Sequence, residues 1–341
     1  MDSTDSFTVV PESVIAHDAI PPLPLPPLPM GSGPAGYDSP ATDNGPARNR
    51  VWTVFVVFLG AAATFVILNI VGGVLAAVIV LRGRDDIRSM QAFLDALPAA
   101  ILRPGVIISL GLAGQVTLLA WAVGAAILSP VPFAKRLRLT PSTLPIAAYP
   151  LVMMGALAVG VLYSQLIELL HVKPNGALKI FDELLHNLTP MQVVAAVLVL
   201  GVMPGFAEEW LFRGYIQTRL SRAWGRWRAI HIAAALFGIM HMDPWQSPFA
   251  ALFGVYLGYL AEKSGSIRPT MICHIFNNSA QILMATVLAP YMTPAVQWGI
   301  VICCMTALPA SIVYLRFWVQ PPGEQQPLEP LPILAPLATA G

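Results

Sequence analysis

Charge is what this 341-residue chain has least of: Asp, Glu, Lys and Arg make up 11% of it, where about 25% is usual for a soluble protein. With 56% hydrophobic residues and a mean hydropathy of +0.68, that scarcity excludes a conventional cytosolic domain and a chain disordered throughout. An excess of either sign is missing too. Nineteen basic against 18 acidic residues give a net charge of +1, too little for a surface that binds nucleic acid. Cysteine is nearly absent. Cys273, Cys303 and Cys304 sit in apolar stretches without C-x-x-C spacing, so they read as reduced, buried thiols and not as a disulfide framework. No His-Glu-x-x-His helix is present, which removes the commonest zinc-protease signature.

Proline, by contrast, is concentrated. Ten of the 32 prolines fall in residues 1–50, including the run Pro21-Pro22-Leu23-Pro24-Leu25-Pro26-Pro27-Leu28-Pro29, and six more fall in 319–341. Such segments favour extended or polyproline II backbone and cannot bury a core, so both are expected to be disordered cytoplasmic tails. The first lacks the basic and apolar regions of a cleavable signal peptide, and the last four residues are not a prenylation box. An SH3-like ligand is the sharper reading of the Pro21–Pro29 run; a tail without a partner is the preferred one.

Between the tails, residues 51–318 hold apolar runs at about 51–81, 104–128, 144–170, 191–218, 229–242, 248–261, 269–289 and 296–318. A bilayer crossing needs about 20 apolar residues. Six runs meet that length, and the pair 229–242 and 248–261 reads as two short spans in preference to one re-entrant hairpin. The expected fold is therefore all-α, a polytopic transmembrane bundle of about eight spans. Its basic residues divide 12 to 6 between the two sides, with Arg213 left inside a span. By the positive-inside rule the richer side, with both tails, is cytoplasmic. Arg outnumbers Lys 15 to 4, a composition that leans towards a bacterial plasma membrane.

Ionisable groups inside a span cost about 2.5–3.5 kcal/mol each and usually serve a function. Here the fourth run carries Glu208, Glu209 and Arg213, the fifth His241, and the seventh His274 with Asn277 and Asn278. Glu208 lies 14 residues, roughly 21 Å, from Arg222 at its span's cytoplasmic end, and His241 lies 13 residues, roughly 20 Å, from Arg228. From Arg268, His274 is roughly 9 Å deep and Asn278 roughly 15 Å. Three spans thus bring polar groups towards one slab. Glu209 and Arg213 share a helix face at i, i+4 and are expected to pair, which leaves Glu208 free to act. His274 and Asn278 share a face by the same rule, which favours Asn278 over Asn277. Pro204 and Gly205, one turn before the glutamates, are expected to kink the helix and admit water.

This set suits amide hydrolysis. Glu208 would take a proton from water, His241 would fix that water or share the base role, and His274 and Asn278 would donate to the oxyanion. Alternatively Glu208, His241 and His274 would bind Zn²⁺ as a His₂Glu set; the residues leave Zn²⁺ or no cofactor equally open. Phe237 reads as packing, and His17, His171, His186 and His231 as non-catalytic.

Glu208 to Arg213 fits Glu-Glu-x-x-x-Arg, Phe237 to His241 fits Phe-x-x-x-His, and His274 to Asn278 fits His-x-x-x-Asn. In that order on successive apolar segments, about residues 190–290, this pattern resembles the CPBP family of intramembrane proteases, which includes CAAX prenyl endopeptidases and bacterial Abi or bacteriocin-processing proteins. The resemblance implies an intramembrane endopeptidase, metallo- or glutamate-dependent. Glu208 would be its water-activating residue, Glu209 and Arg213 the support, His241 the partner, and His274 with Asn278 the remaining pair. Its partners would be membrane lipid and a peptide or protein substrate, prenylated in one branch of the family. The rival readings are a non-enzymatic membrane scaffold or immunity factor with the same fold, and a transporter, disfavoured because no inverted repeat with paired broken helices is seen.

Overall fold

The computed structural model describes residues 51–172, 177–186 and 188–322. The expectations for 1–50 and 323–341 lie outside these. Among the described residues the chain is all helical, with no strand.

Each of the eight apolar runs becomes helix. The first is α1 (Trp52–Leu81), followed by a short helix not foreseen, α2 (Met90–Ile101), whose N-cap Ser89 accepts the amide of Ala92. Then come α3 (Pro104–Ile127), the single turn α4 (Phe133–Arg136), α5 (Tyr149–Leu169) and α6 (Ala177–His186). The fourth run is one continuous helical rod, Pro190–Trp224, built of α7 (Pro190–Ala196), a π-helical stretch Val197–Val202, α8 (Met203–Glu209), a second π-helical stretch Trp210–Gln217, and α9 (Thr218–Trp224). Gly225, at φ 82°, ends it. After it follow α10 (Arg226–Met240), α11 (Gln246–Ser264), α12 (Arg268–Ala285) and α13 (Pro294–Phe317).

Five helical segments are long and apolar enough to cross a bilayer: Trp52–Leu81, Pro104–Ile127, Ile146–Leu169, Pro190–Trp224 and Pro294–Phe317. This is a multi-pass membrane protein. α12, the remaining run of full span length in the sequence, is not among those five: it is less apolar, carrying Thr270, His274, Asn277, Asn278 and Gln281. Its polarity belongs to the interior of the bundle and not to lipid. Cys303 corrects another expectation: it is exposed on α13, whereas Cys273 and Cys304 are buried.

α10 and α11 form a tight helical hairpin whose turn holds Met242 at φ 49°. Small residues bring the pair together: a Cβ on Gly238 would lie 2.6 Å from the Ser247 carbonyl oxygen, and one on Gly254 would lie 3.0 Å from Ala234 Cα. The contact of α12 with the fourth rod uses the same device. Gly201 and Gly205, spaced as Gly-x-x-x-Gly, lie under Ser279 and Ile275. In lipid, where burying apolar surface drives little helix association, such close backbone approach is a main source of packing energy.

One end of the bundle is laced by polar bonds. Arg138, at φ 52°, donates Nη1 to Glu262 Oε1 at 2.8 Å and Nη2 to the Ala261 carbonyl at 3.1 Å, and its own carbonyl accepts the Ile267 amide at 3.0 Å. Gln217 Nε2 also donates to Glu262 Oε1, at 2.9 Å. Lys263 Nζ reaches the Arg316 carbonyl at 3.2 Å, and Arg219 donates to Thr53 Oγ1. Burial and the neighbouring Arg219 and Arg222 guanidinium groups push Arg136 down to about 10. Basic residues that charge counting assigns to one side are thus gathered at one end.

The packing at Gly205 is testable. A Cβ there would stand 2.4 Å from Ile275 Cγ1 and 3.0 Å from the Met271 carbonyl oxygen, whereas at Gly105 nothing lies within 4 Å. Gly205→Ala is expected to destabilise the protein by about 1–3 kcal/mol and lower its melting temperature in detergent, and Gly105→Ala to leave it unchanged. Equal melting temperatures for the two variants would contradict the close approach of α12.

Candidate active site

Of the polar residues singled out in the sequence, Arg213 and His274 meet Glu209 directly, and Glu208 lies beside His274. Glu209 is 0% exposed, Arg213 1% and His274 2%, so three groups able to carry charge are packed together out of solvent. Arg213 Nη1 donates to Glu209 Oε1 at 2.6 Å, the i, i+4 pair the spacing predicts. His274 Nδ1, from α12, meets the same oxygen at 2.8 Å. A carboxylate can only accept, so Nδ1 must carry a proton and Nε2 is left as the working nitrogen of that ring.

That nitrogen faces Glu208. His274 Nε2 stands 3.7 Å from Glu208 Oε2, beyond hydrogen-bond length but in direct electrostatic reach. Glu208 is 9% exposed, more open than Glu209, Arg213 and His274. Its other oxygen, Oε1, accepts from Gln115 Nε2 of α3 at 2.9 Å. Glu208 is therefore not free as the sequence suggests; it is tethered by one oxygen and open at the other. Gln115 escapes a reading that tracks ionisable groups alone. The signal for it is an uncharged polar side chain with full hydrogen-bonding capacity in the middle of an apolar run.

Phe237 does more than fill space. Its ring lies edge-on to His241 at 4.9 Å, to His274 at 6.0 Å and to Phe212 at 5.0 Å between centroids, and the Arg213 guanidinium carbon stands 4.4 Å from its centre. Phe253 also lies edge-on to His274, at 5.2 Å between centroids. One aromatic ring thus sets both histidines against a common wall. His241 itself caps the end of α10, half-buried, with Nδ1 at 2.8 Å from the Phe237 carbonyl oxygen. A carbonyl accepts, so this ring too holds its proton on Nδ1 and presents Nε2. His231 is exposed and its Nδ1 is held by the Trp227 carbonyl on its own helix, outside the group.

Asn278 and Asn277 divide their roles. Pro204 has no amide hydrogen for the carbonyl of Leu200 four residues back, and Asn278 Nδ2 reaches that oxygen at 3.3 Å. Asn278 Oδ1 in turn accepts from Nδ2 of the fully buried Asn277 at 2.9 Å. The backbone is π-helical on both sides of α8, in Val197–Val202 before it and Trp210–Gln217 after it. π-Helical insertions recur at functional sites because they re-aim side chains within a continuous helix.

The donor types for zinc are present. His241 and His274 each present Nε2 with Nδ1 fixed by an acceptor, and Glu208 offers an oxygen. Their placement does not complete a site: among the described residues no three His, Cys, Asp or Glu side chains are grouped to hold a metal ion. No step is derived through one.

A buried carboxylate pair, an arginine and two histidines drawn from three helical segments of a multi-pass membrane protein define a candidate intramembrane hydrolytic site. Residues 190–280, which supply all of these groups, match the family described as Type II CAAX prenyl endopeptidase Rce1-like. The match leaves out α1, α3, α5 and α13. No curated protein and no solved structure matches the chain.

The ion pair predicts a specific stability pattern. Arg213→Met strands Glu209 without solvent and is expected to cost about 3–5 kcal/mol, read from thermal melts in detergent. Adding Glu209→Gln to that variant should recover part of the loss. A double variant whose cost equals the sum of the singles would contradict the coupling.

Proposed function

We propose that this chain is an intramembrane endopeptidase that hydrolyses a peptide bond of a membrane-associated or prenylated substrate at Glu208. The observation that carries the reading is the placement of Glu208 Oε2 3.7 Å from His274 Nε2 inside the segment that matches the CAAX prenyl endopeptidases. The eight helices of the apolar runs would serve as eight spans, the five long ones enclosing the shorter α10, α11 and α12. The end that gathers Arg136, Arg138, Arg219, Arg222 and Lys263 would face the cytoplasm, and substrate would enter from that side.

The reaction follows from the groups present. A water at Glu208 gives a proton to Oε2 as its oxygen adds to the carbonyl carbon of the scissile bond. His241, with Nε2 as acceptor, helps to hold that water. The tetrahedral oxyanion is met by the second amide hydrogen of Asn278, whose first is committed to Leu200, and by His274 Nε2 when it carries a proton. Glu208 then returns its proton to the amide nitrogen as the C–N bond breaks, giving a new carboxyl terminus and a free amine. Arg213 and Glu209 take no part in bond making; they keep His274 facing Glu208. Zn²⁺ at Glu208, His241 and His274 would supply a Lewis acid for the same water, and the placement of these residues favours the route without it.

Glu208→Gln keeps the shape and removes the base. It is expected to lower cleavage of an internally quenched, farnesylated Cys-a-a-X peptide by about 10²–10⁴-fold in proteoliposomes, with membrane insertion and melting temperature unchanged. Cleavage at the unaltered rate would overturn the enzyme reading. Chelator treatment separates the two routes: activity is expected to survive 1,10-phenanthroline, and a loss restored by added Zn²⁺ would make Glu208 a metal ligand instead.

A further inference from the structure

The matched segment ends before it reaches every group in contact with Glu208. Gln115 comes from α3, 93 residues away in sequence, and makes the one hydrogen bond to Glu208 seen among the described residues. It is buried, at 9% exposure, in a helix whose only other polar side chains are Ser109 and Thr117. Its placement has a visible cause. At Gly111, one turn before Gln115, a Cβ would stand 2.7 Å from Leu200 Cδ2, so α3 packs closely on the fourth rod at this level.

The two oxygens of Glu208 are thereby made unequal. Oε1 accepts from Gln115 Nε2 at 2.9 Å, whereas Oε2 is the oxygen 3.7 Å from His274 Nε2. The amide orientation is fixed by chemistry: turning it over would set the carbonyl oxygen of Gln115 against a carboxylate oxygen. A neutral amide also suits the task, because it donates to a carboxylate yet cannot take the proton that the carboxylate must accept.

We infer that Gln115 is a positioning residue of the site, anchoring Glu208 Oε1 so that Oε2 alone is presented to water and to His274. This rests on Glu208 being the base. The site then spans four helical segments, and the 190–280 segment by itself does not complete it. Gln115 acts through Glu208 and touches no substrate, so its loss should appear in turnover and not in substrate binding.

The test uses the full-length chain in proteoliposomes with the farnesylated Cys-a-a-X peptide as probe, comparing Gln115→Met, Gln115→Asn and Glu208→Gln. Met keeps the volume and removes the donor; Asn keeps the donor and withdraws it by one methylene. Both are expected to lower kcat at least tenfold with KM within twofold of the parent. If Gln115→Met does not accumulate in the membrane, Gln115→Asn is judged by the same criterion. Parental kcat in Gln115→Met, or a loss confined to KM in either variant, would overturn the inference. Glu208→Gln separates this failure from that of the parent reading: an inactive Glu208→Gln beside a fully active Gln115→Met defeats the role of Gln115 alone, whereas an active Glu208→Gln defeats the base assignment itself.

Discussion

Glu209 is a carboxylate with no exposure to solvent, and the architecture around it is organised by the need to compensate it. A charge in that position is tolerated only when it is paired and hydrogen-bonded. Arg213 supplies the countercharge from the next turn of the same rod, and His274 supplies a second donor from α12 to the same oxygen. Because the second donor belongs to another helix, the compensation also fixes where α12 lies and how the imidazole is turned. The catalytic proposal depends on that turn: once Nδ1 is committed to Glu209, Nε2 can face only Glu208.

Such an arrangement requires helices that approach more closely than large side chains allow. Gly201 and Gly205 admit α12, Gly111 admits α3, and Gly254, whose Cβ would lie 3.2 Å from Arg213 Nη2, leaves room for the guanidinium beside α11. Phe237 fills the remaining space and touches both histidines as well as Arg213. The irregular backbone follows the same logic. Pro204 removes an amide hydrogen beside Leu200, the backbone is π-helical there, and Asn278 satisfies the carbonyl from α12. In lipid an unsatisfied carbonyl has no water to turn to, so broken helix is tolerated only where a neighbour supplies the missing bond. The Pro-Gly pair thus shapes the site through the packing it demands, and the glutamates one turn later are presented by that packing.

Much of this is legible in the sequence because the chemistry is so sparse. Glu208, Glu209, Arg213, His241, His274 and Asn278 stand out against apolar runs, and helical spacing alone pairs Glu209 with Arg213. Apolar length likewise locates the helices, and α12 is less apolar than the five long ones because Thr270, His274 and Asn277 are buried in the bundle. What sequence spacing does not carry is contact between helices. That Glu208 bonds Gln115 from α3, that His274 turns to Glu209 before Glu208, and that Phe237 is shared by two histidines all depend on which faces meet. The π-helical register is invisible for the same reason: nothing in Val197–Val202 or Trp210–Gln217 departs from helix-forming composition. α2 lies between two of the apolar runs, and the charged residues Arg82 to Arg88 and Arg103 on either side of it keep it out of both.

The claim on which the account turns is that Glu209 dictates the proton position on His274. ¹⁵N chemical shifts of ring-labelled histidine in the full-length protein in lipid, with His274 assigned by difference against His274→Gln, measure this directly. The account predicts a protonated Nδ1 on His274, reverting to a mixture of tautomers when Glu209 is replaced by Gln. A neutral His274 protonated on Nε2 in the parent protein would contradict it, because that ring could not bond Glu209 as an acceptor and could not present a free nitrogen to Glu208.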